Sequence, residues 1–330
     1  MNTAGIDVGS KSHCLVLNKQ GKTSQSKTYS NDAKGHNAII NLLKKSKIER
    51  VCIEATGVYH VDLAVALHHA NLNVMVLNPK AARHYIQAMM GRSKTDPQDA
   101  LMLSEYAQHM PFNPWRCPKQ EYLSLRALSR RLAALTKQKT QLKNQLHALS
   151  ATEQTPNFIV DDIVLNIEQL EEHIRSLHNY ALKLIEQDDS LKEAMHLLLS
   201  VKGIAHTSAI QLMGECLVLP EDMTGKQWVA MAGLDPRHHQ SGTSIHKKSR
   251  ISKAGNRYLR MALYMPALSA SRHDPYVNGF YRHLIENRGL KKIQAACAVM
   301  RKLLLAIHGM LKTRSAFDNT RFFNLEKCQA

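Results

Sequence analysis

The sequence predicts an α/β plus α fold, in which a mixed α/β domain is followed by a mainly helical part. Short apolar stretches alternate with amphipathic ones up to residue 112, as strands alternate with helices. A proline-rich segment, 111–118, ends this pattern, and long helical periodicities with almost no strand signal follow. The chain has 330 residues, 44% of them hydrophobic. At about 150 residues per domain this supports roughly two cored domains, which excludes disorder as the main state.

The first predicted domain, 1–112, opens with two apolar strands and a polar one, at 3–8, 12–17 and 23–30, joined as an antiparallel meander. After the meander we expect a helix at 34–45, a buried strand at 50–53, a helix at 61–70 and a strand at 73–77. Strand and helix alternate in this second half, so the domain is mixed α/β.

Long helices are predicted for the second segment, 119–189. Its apolar residues follow heptad spacing, at Leu128, Leu132, Leu135, Leu142, Leu146 and Leu149, and again at Ile163, Ile167, Leu170, Ile174, Leu177, Ala181 and Leu184. This spacing predicts an antiparallel helical hairpin or an intermolecular coiled coil that acts as a dimerisation arm. Two ordinary amphipathic helices packed on their own domain are an equal alternative, and Lys139 at one seam position weakens the coiled coil.

The third segment, 190–330, is predicted to be a mainly helical domain with a loop at 217–226 and a polar stretch at 235–255. No acidic residue stands between Asp235 and Asp274. The same interval holds Arg237, Lys247, Lys248, Arg250, Lys253, Arg257, Arg260 and Arg272. The whole chain has 44 Lys and Arg against 27 Asp and Glu, a formal charge of +17. A nucleic acid partner therefore explains this one-signed cluster better than a solvated basic face does.

Several classes of protein are disfavoured. The longest apolar stretch, 293–310, is broken by Arg301 and Lys302, so we expect no membrane span. The first residues lack the apolar core of a signal peptide. The six cysteines show neither a C-x-x-C pair nor the spacing of a disulfide framework. These features predict a reduced, cytosolic chain.

Carboxylates are scarce in so basic a chain, and their positions are informative. Asp7 lies inside the apolar strand GIDVGS, and Glu54 ends the apolar strand VCIEATG. An acid in such a strand is costly unless it is paired or bound to metal. If the first and fourth strands are neighbours, Asp7 and Glu54 meet at one end of the sheet. A helix carrying Asp99 across that end would complete a cluster able to hold two Mg²⁺ ions.

Asp96 and Asp99 lie in KTDPQDA, at the start of a predicted helix. They also have a purely structural interpretation, with Asp96 as the N-cap, Pro97 at the first helical position and Asp99 in the first turn. Either interpretation accounts for this pair when it is considered alone.

Three motifs, GIDVGS, IEATG and KTDPQDA, resemble those of the DEDD-type transposases of bacterial insertion sequences, whose N-terminal domain is RuvC-like, that is, ribonuclease-H-like. The resemblance continues through VKGIAHTSA, VAMAGLDPR, QSGTS and SKAGNRYLRMALYMPA, and so covers nearly the whole chain. One departure is Ala205, which replaces the second glycine of a helix-hairpin-helix motif in VKGIAHTSA.

The resemblance implies a DNA transposase or recombinase. It assigns Asp7, Glu54, Asp96 and Asp99 to a catalytic site for Mg²⁺, with Mn²⁺ as an alternative, and Ser241 to a nucleophile that forms a covalent phosphoserine. It further implies donor and target DNA and a structured noncoding RNA from the element as partners. A homodimer that assembles into a higher oligomer on DNA is expected, in the bacterial cytoplasm at the nucleoid.

Other functions remain open from the residues themselves. In a RuvC-like nuclease or junction resolvase, the four acids would activate water and Ser241 would be structural. GIDVGS also resembles the first phosphate loop of actin-like sugar kinases, but no second phosphate loop follows residue 110. A DNA-binding protein without chemistry is a third alternative. His238 and His239 beside Ser241 are candidates for a base or a phosphate contact.

Overall fold

The computed structural model describes residues 1–89, 95–241 and 245–325, and side chains between residues 238 and 248 lie outside that description. It divides into two compact units, Met1–Cys117 and Pro118–Ala330. Unit 1 holds a mixed sheet with helices, and unit 2 is mainly helical. The α/β plus α fold class is therefore confirmed.

Unit 1 contains strands β1 (Asn2–Val8), β2 (Ser12–Lys19), β3 (Lys22–Thr23), β4 (Lys27–Ser30), β5 (Arg50–Glu54) and β6 (Val74–Leu77), and helices α1 (Ala33–Lys45), α2 (Val61–His69), α3 (Pro79–Ala88) and α4 (Asp96–His109). The sheet order is β3-β2-β1-β5-β6, and β4 also pairs with β2. β1 and β2 are antiparallel, whereas β1, β5 and β6 are parallel. This arrangement, an antiparallel meander followed by parallel strands, is the ribonuclease-H-like topology that the sequence predicts.

The single strand predicted at 23–30 is wrong in detail, because the structure has two short strands, β3 and β4. The break follows from Ser24. Its backbone N–H donates to the carbonyl of Leu17, but the N–H of Leu17 donates to the Ser24 hydroxyl at 3.1 Å. A side-chain acceptor thus replaces a backbone one and ends the ladder.

Apolar residues cover both faces of the unit 1 sheet. On one face Ile6, Leu15, Ile53 and residues of α1 and α2 form the larger core. On the other face Cys52 and Met75 pack against Leu103 and Ala107 of α4. Because successive residues of a strand point to opposite faces, Gly5 and Asp7 share the α4 side of β1.

A pair of histidines is buried between β2 and α1. The Nε2 atoms of His13 and His36 lie 3.3 Å apart, and the Asn31 side-chain oxygen lies 3.0 Å from His36 Nε2. Burial, together with the neighbouring His36, lowers the pKa of His13. Burial likewise lowers the pKa of His36. Both rings are therefore neutral in the folded chain at neutral pH.

Unit 2 contains helices α5 (Gln120–Leu149), α6 (Asn157–Glu186), α7 (Asp189–Leu199), α8 (His206–Cys216), α9 (Gly225–Ala232), α10 (Arg257–His273), α11 (Pro275–Glu286) and α12 (Lys292–Thr313), a short 3₁₀ turn (Asn319–Arg321), and strands β7 (Pro236–Ser241) and β8 (Ile245–Ile251). α12 is long and apolar enough to cross a membrane, but 44% of its apolar window is buried in the unit. Val299, Leu303 and Ile307 on this helix belong to the unit 2 core.

The two longest helices, α5 and α6, pack on each other as a hairpin within one chain. Lys139 and Lys143 of α5 both pair with Glu171 of α6, at 3.5 and 3.0 Å. This contact explains how a lysine is tolerated at the heptad seam.

A buried glutamate joins three helices of unit 2. Glu215 of α8 is 1% exposed. Arg130 of α5 binds both of its oxygens, with Nε to Oε1 at 2.6 Å and Nη2 to Oε2 at 3.0 Å. Arg126 lies 3.6 Å from Oε2, and Asn256, the N-cap of α10, also donates to Oε2. Such a cluster is stable only when every member has its partner.

The polar stretch at 235–255, for which no strand is expected from sequence, contains the β7–β8 hairpin. Hydrogen bonds at its base explain this structure. The Ser252 hydroxyl donates to the Asp235 carboxylate at 2.6 Å, and the N–H of Asn256 donates to the carbonyl of Met231 at 2.7 Å. These contacts, rather than apolar alternation, hold the hairpin.

Replacing Glu215 with Gln should destabilise unit 2 by about 3 kcal/mol, because Arg130 and Arg126 would lose their buried anion. Urea unfolding measures this change. Asp189→Asn is the matched control, since Asp189 pairs with Lys192 but is 98% exposed. We expect the control to change stability by less than about 1 kcal/mol, and equal effects of the two variants would contradict the assignment.

The chain should lose stability in mild acid through His13 and His36. Their folded pKa values lie below the ordinary 6.5, so the unfolded chain binds more protons between the lowered value and 6.5. This contribution is complete above about pH 6.5 and is lost as the pH falls toward the folded pKa. We expect the melting temperature to fall less between pH 7.5 and 5.5 in His13→Met than in wild type. The exposed His109, changed to Met, should leave the wild-type slope unchanged.

Candidate active site

Two of the predicted acids lie side by side at one edge of the unit 1 sheet. Ile6 of β1 is paired with Ile53 of β5 in parallel register. The next residues along these strands are Asp7 and Glu54, and both are half-buried. The expected neighbourhood of the first and fourth strands is therefore confirmed. It brings two carboxylates together at the carboxyl ends of parallel strands, the edge where α/β sheets commonly bind ligands.

α4 crosses this part of the sheet unusually closely, because β1 has a glycine beneath it. A Cβ atom on Gly5 would overlap with the carbonyl oxygen of Ala100 and the amide nitrogen of Ser104. The Thr3 hydroxyl donates to the carbonyl of Ser104 at 2.8 Å and fixes the same contact. Only glycine permits this approach of a helix backbone to a strand. The first turn of α4, with Asp96 and Asp99, is thereby held near the end of β1.

The start of α4 differs from the capping interpretation. Asp96 is the first helical residue, and Thr95 before it holds the N-cap position without a side-chain capping hydrogen bond. The proposed role of Asp96 as N-cap is therefore wrong by one residue. Asp99 is 8% exposed, whereas Asp96 is exposed. Burial of an acid in the first helical turn, against a sheet edge with further acids, is not needed for helix initiation.

Burial and the negative charges of these acids raise the pKa values of two nearby cysteine thiols. Cys14 of β2 is paired with Asp7 of β1. Burial and then the negative charges of Asp7 and Asp96 raise the pKa of its thiol. On β5, burial and the charge of Glu54 raise the pKa of Cys52 to about 12. The charges of Asp7, Asp96 and Glu54 thus reach thiols on two strands of the sheet, β2 and β5.

The acids suit a hard divalent ion in their chemistry, since all four offer only oxygen ligands. Within the described part of the chain, however, no three His, Cys, Asp or Glu side chains are grouped closely enough to hold a metal. Mg²⁺ is commonly held by one or two carboxylates together with water and substrate phosphates. The open edge fits such a site better than a closed protein cage.

Asn31 connects the loops that border this edge and was not expected from the sequence. Its Nδ2 donates to the carbonyls of Gly9, after β1, and Tyr59, after β5, at 3.1 and 3.3 Å. A lone asparagine between a strand and a helix gives no sequence signal for this role. Gly5, by contrast, was detectable as a glycine inside a buried strand.

Ser241 belongs to unit 2, as the last residue of β7, paired with Ile245 of β8. Its side chain lies outside the described residues, as do those of Lys247, Lys248, His238 and His239. Among the other predicted nucleic-acid contacts, the described side chains of Arg237, Arg250, Lys253 and Arg257 are exposed. The residues at the base of the hairpin that carries Ser241 are thus exposed and positively charged.

Arg260 is the exception in this basic group. It is half-buried, and its Nη1 donates to the carbonyl of Ala232 at 2.8 Å. Burial lowers its pKa. Arg260 thus has a structural contact within the fold, whereas Arg257 contacts the ring and hydroxyl of Tyr258 at the surface.

The helix-hairpin-helix candidate lies between α7 and α8. Ala205, at the N-cap of α8, has an extended backbone with a φ of −103°, so the position does not require glycine. Gly203 does, since its φ is 103° and a Cβ there would lie 2.7 Å from the amide nitrogen of Ala270. The tight turn of the motif is therefore present.

Comparison with known families identifies the chain. A model of the DEDD transposases of the IS110 type matches residues 4–151, and one described as "Transposase IS116/IS110/IS902 family" matches residues 195–282. The pilin gene-inverting proteins of Moraxella bovis and Moraxella lacunata are each 30% identical to the chain, covering 95% of it and 97% of their own length. The chain is thus an enzyme that acts on DNA, a transposase. It belongs to the IS116/IS110/IS902 family.

Among solved structures, Thermus thermophilus RuvC bound to a Holliday junction is similar to 34% of the chain and 99% of its own length. The sequence identity is 15% and the TM-score 0.27.

Replacing Gly5 with Ala should destabilise unit 1 by about 3 kcal/mol or more, because the new methyl group would force α4 away from β1. Gly309→Ala is the control: no atom lies within 4 Å of its added Cβ, and alanine favours an α-helix by about 1 kcal/mol. The midpoint of urea unfolding should fall for the first variant and stay or rise for the second. A stable Gly5→Ala protein would show that α4 can be displaced without cost.

Proposed function

We propose that the chain cuts and rejoins DNA strands through a covalent link between Ser241 and a DNA phosphate, guided by a noncoding RNA from its own element. The observation that carries the proposal is the edge where Asp7, Glu54 and the start of α4 lie together. The family and the gene-inverting relatives support it, since inversion of a gene requires that broken strands be rejoined.

Rejoining without ATP requires that the energy of the broken phosphodiester be conserved. In the proposed step, the Ser241 Oγ forms a bond to phosphorus and the bond from phosphorus to one deoxyribose oxygen breaks. The released hydroxyl takes up a proton as Ser241 gives one up. Attack by a hydroxyl of the new partner strand reverses these changes and frees Ser241. The phosphodiester count is unchanged, so no external energy source is needed.

Asp7, Glu54, Asp96 and Asp99 would supply the carboxylates for Mg²⁺, or Mn²⁺ in its place, with one or two of them binding an ion together with water and DNA phosphates. When bound, such an ion supplies positive charge that stabilises the phosphoryl oxygens and eases deprotonation of the nucleophile. The chain itself buries Asp99 through the close packing of α4 on β1 over Gly5, and it fixes the bordering loops through Asn31.

The positively charged residues at the base of the hairpin would hold nucleic acid phosphates near Ser241. Arg237, Arg250, Lys253 and Arg257 are exposed, and no acidic residue follows in sequence before Asp274. The formal charge of +17 suits simultaneous binding of DNA and RNA. Aromatic residues make up only 5% of the chain, so contacts to RNA would rely mainly on phosphates and shape.

In this proposal the catalytic site is composite, because the carboxylates belong to unit 1 and Ser241 to unit 2. The hairpin of α5 and α6, within the 119–189 segment, would act as the arm of a homodimer that assembles further on DNA. Such an oligomer would place the Ser241 of one chain at the carboxylates of another.

A metal-dependent nuclease or resolvase is the alternative function, favoured by the carboxylate edge alone. It would use Asp7, Glu54, Asp96 and Asp99 to activate water and leave Ser241 with a structural role. Its products would be free nicks without a protein adduct.

Incubation of the protein with element junction DNA, target DNA, the noncoding RNA and Mg²⁺ should give a protein-DNA adduct that survives denaturation. Ser241→Ala should abolish the adduct because the attacking oxygen is gone, and Asp99→Asn should reduce it at least about 100-fold, the cost of a lost electrostatic stabiliser. Gel electrophoresis in denaturant measures both.

Ser249→Ala is the control for the hydroxyl, and Asp62→Asn the control for a carboxylate elsewhere in unit 1. Both should form wild-type amounts of adduct. Omission of the RNA should abolish site-specific adducts. Nicked DNA without any adduct, unaffected by Ser241→Ala, would establish the nuclease instead.

Mixing Asp99→Asn and Ser241→Ala subunits tests where the composite site assembles. If a site combines two chains, some mixed oligomers contain one intact site, and recombination should recover to about a quarter of the wild-type rate on random pairing. Recombination assays on the mixture measure this recovery. A mixture as inactive as its components would place both groups in the same chain.

A further inference from the structure

A cavity of about 500 Å³ opens in unit 2. Its described lining comes from α5, α7, α8, α9, α12 and the loop after α8, and includes neither Ser241 nor the basic residues of the hairpin. Ligand sites commonly measure about 300 to 1,000 Å³, so the cavity is large enough for a small molecule or a single nucleotide.

The floor of this cavity is apolar, with one buried donor. Leu197, Leu219 and Leu311 line it together with Trp228. Trp228 is 7% exposed, and its indole N–H has no hydrogen-bond partner among the described residues. A buried donor without an acceptor is costly, and a ligand that offers a ring nitrogen or carbonyl oxygen would remove this cost.

His308 holds the Trp228 ring in place. The two rings meet edge to face, with centroids 5.0 Å apart, and His308 Nε2 lies 2.8 Å from the carbonyl oxygen of Met223. The floor is therefore preorganised.

Cations form the rim. Lys119, Lys312 and Arg314 line the opening, against the acids Glu193 and Glu221. Lys312 is exposed and has no acidic partner among the described residues. Arg314 pairs with Glu193 at 3.7 Å while 75% exposed, and so weak a pair exchanges readily for a phosphate.

The backbone at Arg314 determines where the chain leaves α12. This residue caps α12 in the left-handed region with a φ of 52°. Glycine is the usual residue in this conformation, and other side chains adopt it at a cost. The conformation directs the chain out of α12 at the rim of the cavity.

We propose that this cavity binds one unpaired nucleotide of a nucleic acid strand, with the base on the apolar floor and the phosphate at Lys312 and Arg314. The base would accept a hydrogen bond from the Trp228 indole. RNA and DNA share this chemistry, and the cavity would anchor a strand at a point separate from the predicted catalytic residues.

Tryptophan fluorescence tests the proposal. The chain has 2 tryptophans, so a Trp115→Phe protein reports on Trp228 alone, and Ser241→Ala in the same protein makes the result independent of the proposed chemistry. AMP, a five-nucleotide RNA and the same sequence as DNA are titrated separately, next to sodium phosphate. We expect saturable quenching by nucleotides and none by phosphate. The oligonucleotide that binds more tightly shows whether the cavity prefers RNA or DNA.

The double variant Lys312→Glu/Arg314→Glu should weaken nucleotide binding at least tenfold. Lys291→Glu/Lys292→Glu is the matched control, because it likewise reverses two positive charges, at the other end of α12, about 30 Å away at 1.5 Å per residue. It should change the affinity less than twofold. Absence of saturable quenching by every nucleotide, equal quenching by phosphate, or equal weakening by the control would each overturn the proposal.

Discussion

The approach of α4 to β1 over Gly5 is the constraint on which the candidate active site depends. A helix backbone reaches a strand backbone only where the strand lacks a side chain, and Gly5 provides that gap directly beneath Ala100 and Ser104. Parallel pairing of β1 with β5 supplies the other half of the arrangement, since it places Asp7 beside Glu54. The fold thus gathers negative charge at one edge of a protein with a formal charge of +17.

In unit 2, a polar hairpin is attached to a set of packed helices. Glu215 receives Arg130 from α5 and Asn256 from the start of α10, and Asn256 also caps α10 by accepting from the N–H groups of Tyr258 and Leu259. The residues after β8 are therefore anchored by the same buried cluster that joins the long helical hairpin to the core. Arg237 and Arg250, at the base of the hairpin that carries Ser241, remain exposed on this anchored base.

The sequence was sufficient for the features that depend on local pattern and on general rules of chain topology. Alternating apolar stretches predict the mixed sheet, and the acids in its first and fourth strands predict that Asp7 and Glu54 meet at one end of the sheet if those strands are neighbours. It was insufficient where a side chain replaces a backbone group, as at Ser24. It also failed for the β7–β8 hairpin, whose strands are polar, and for Glu215, whose partner Arg130 is 85 residues away. Contacts of this kind leave no periodicity in the sequence.

Together, the carboxylate edge, the exposed basic residues at the base of the hairpin and membership of the transposase family lead to one chemical claim, that Ser241 carries the DNA during strand exchange. Peptide mass spectrometry tests it most directly. The denatured protein-DNA adduct is digested with nuclease and trypsin, and the peptide after Arg237 is sequenced for a nucleotide remnant. We predict the remnant on Ser241. A remnant on Thr243 or Ser244 of the same peptide, or on no serine of the chain, would contradict the claim.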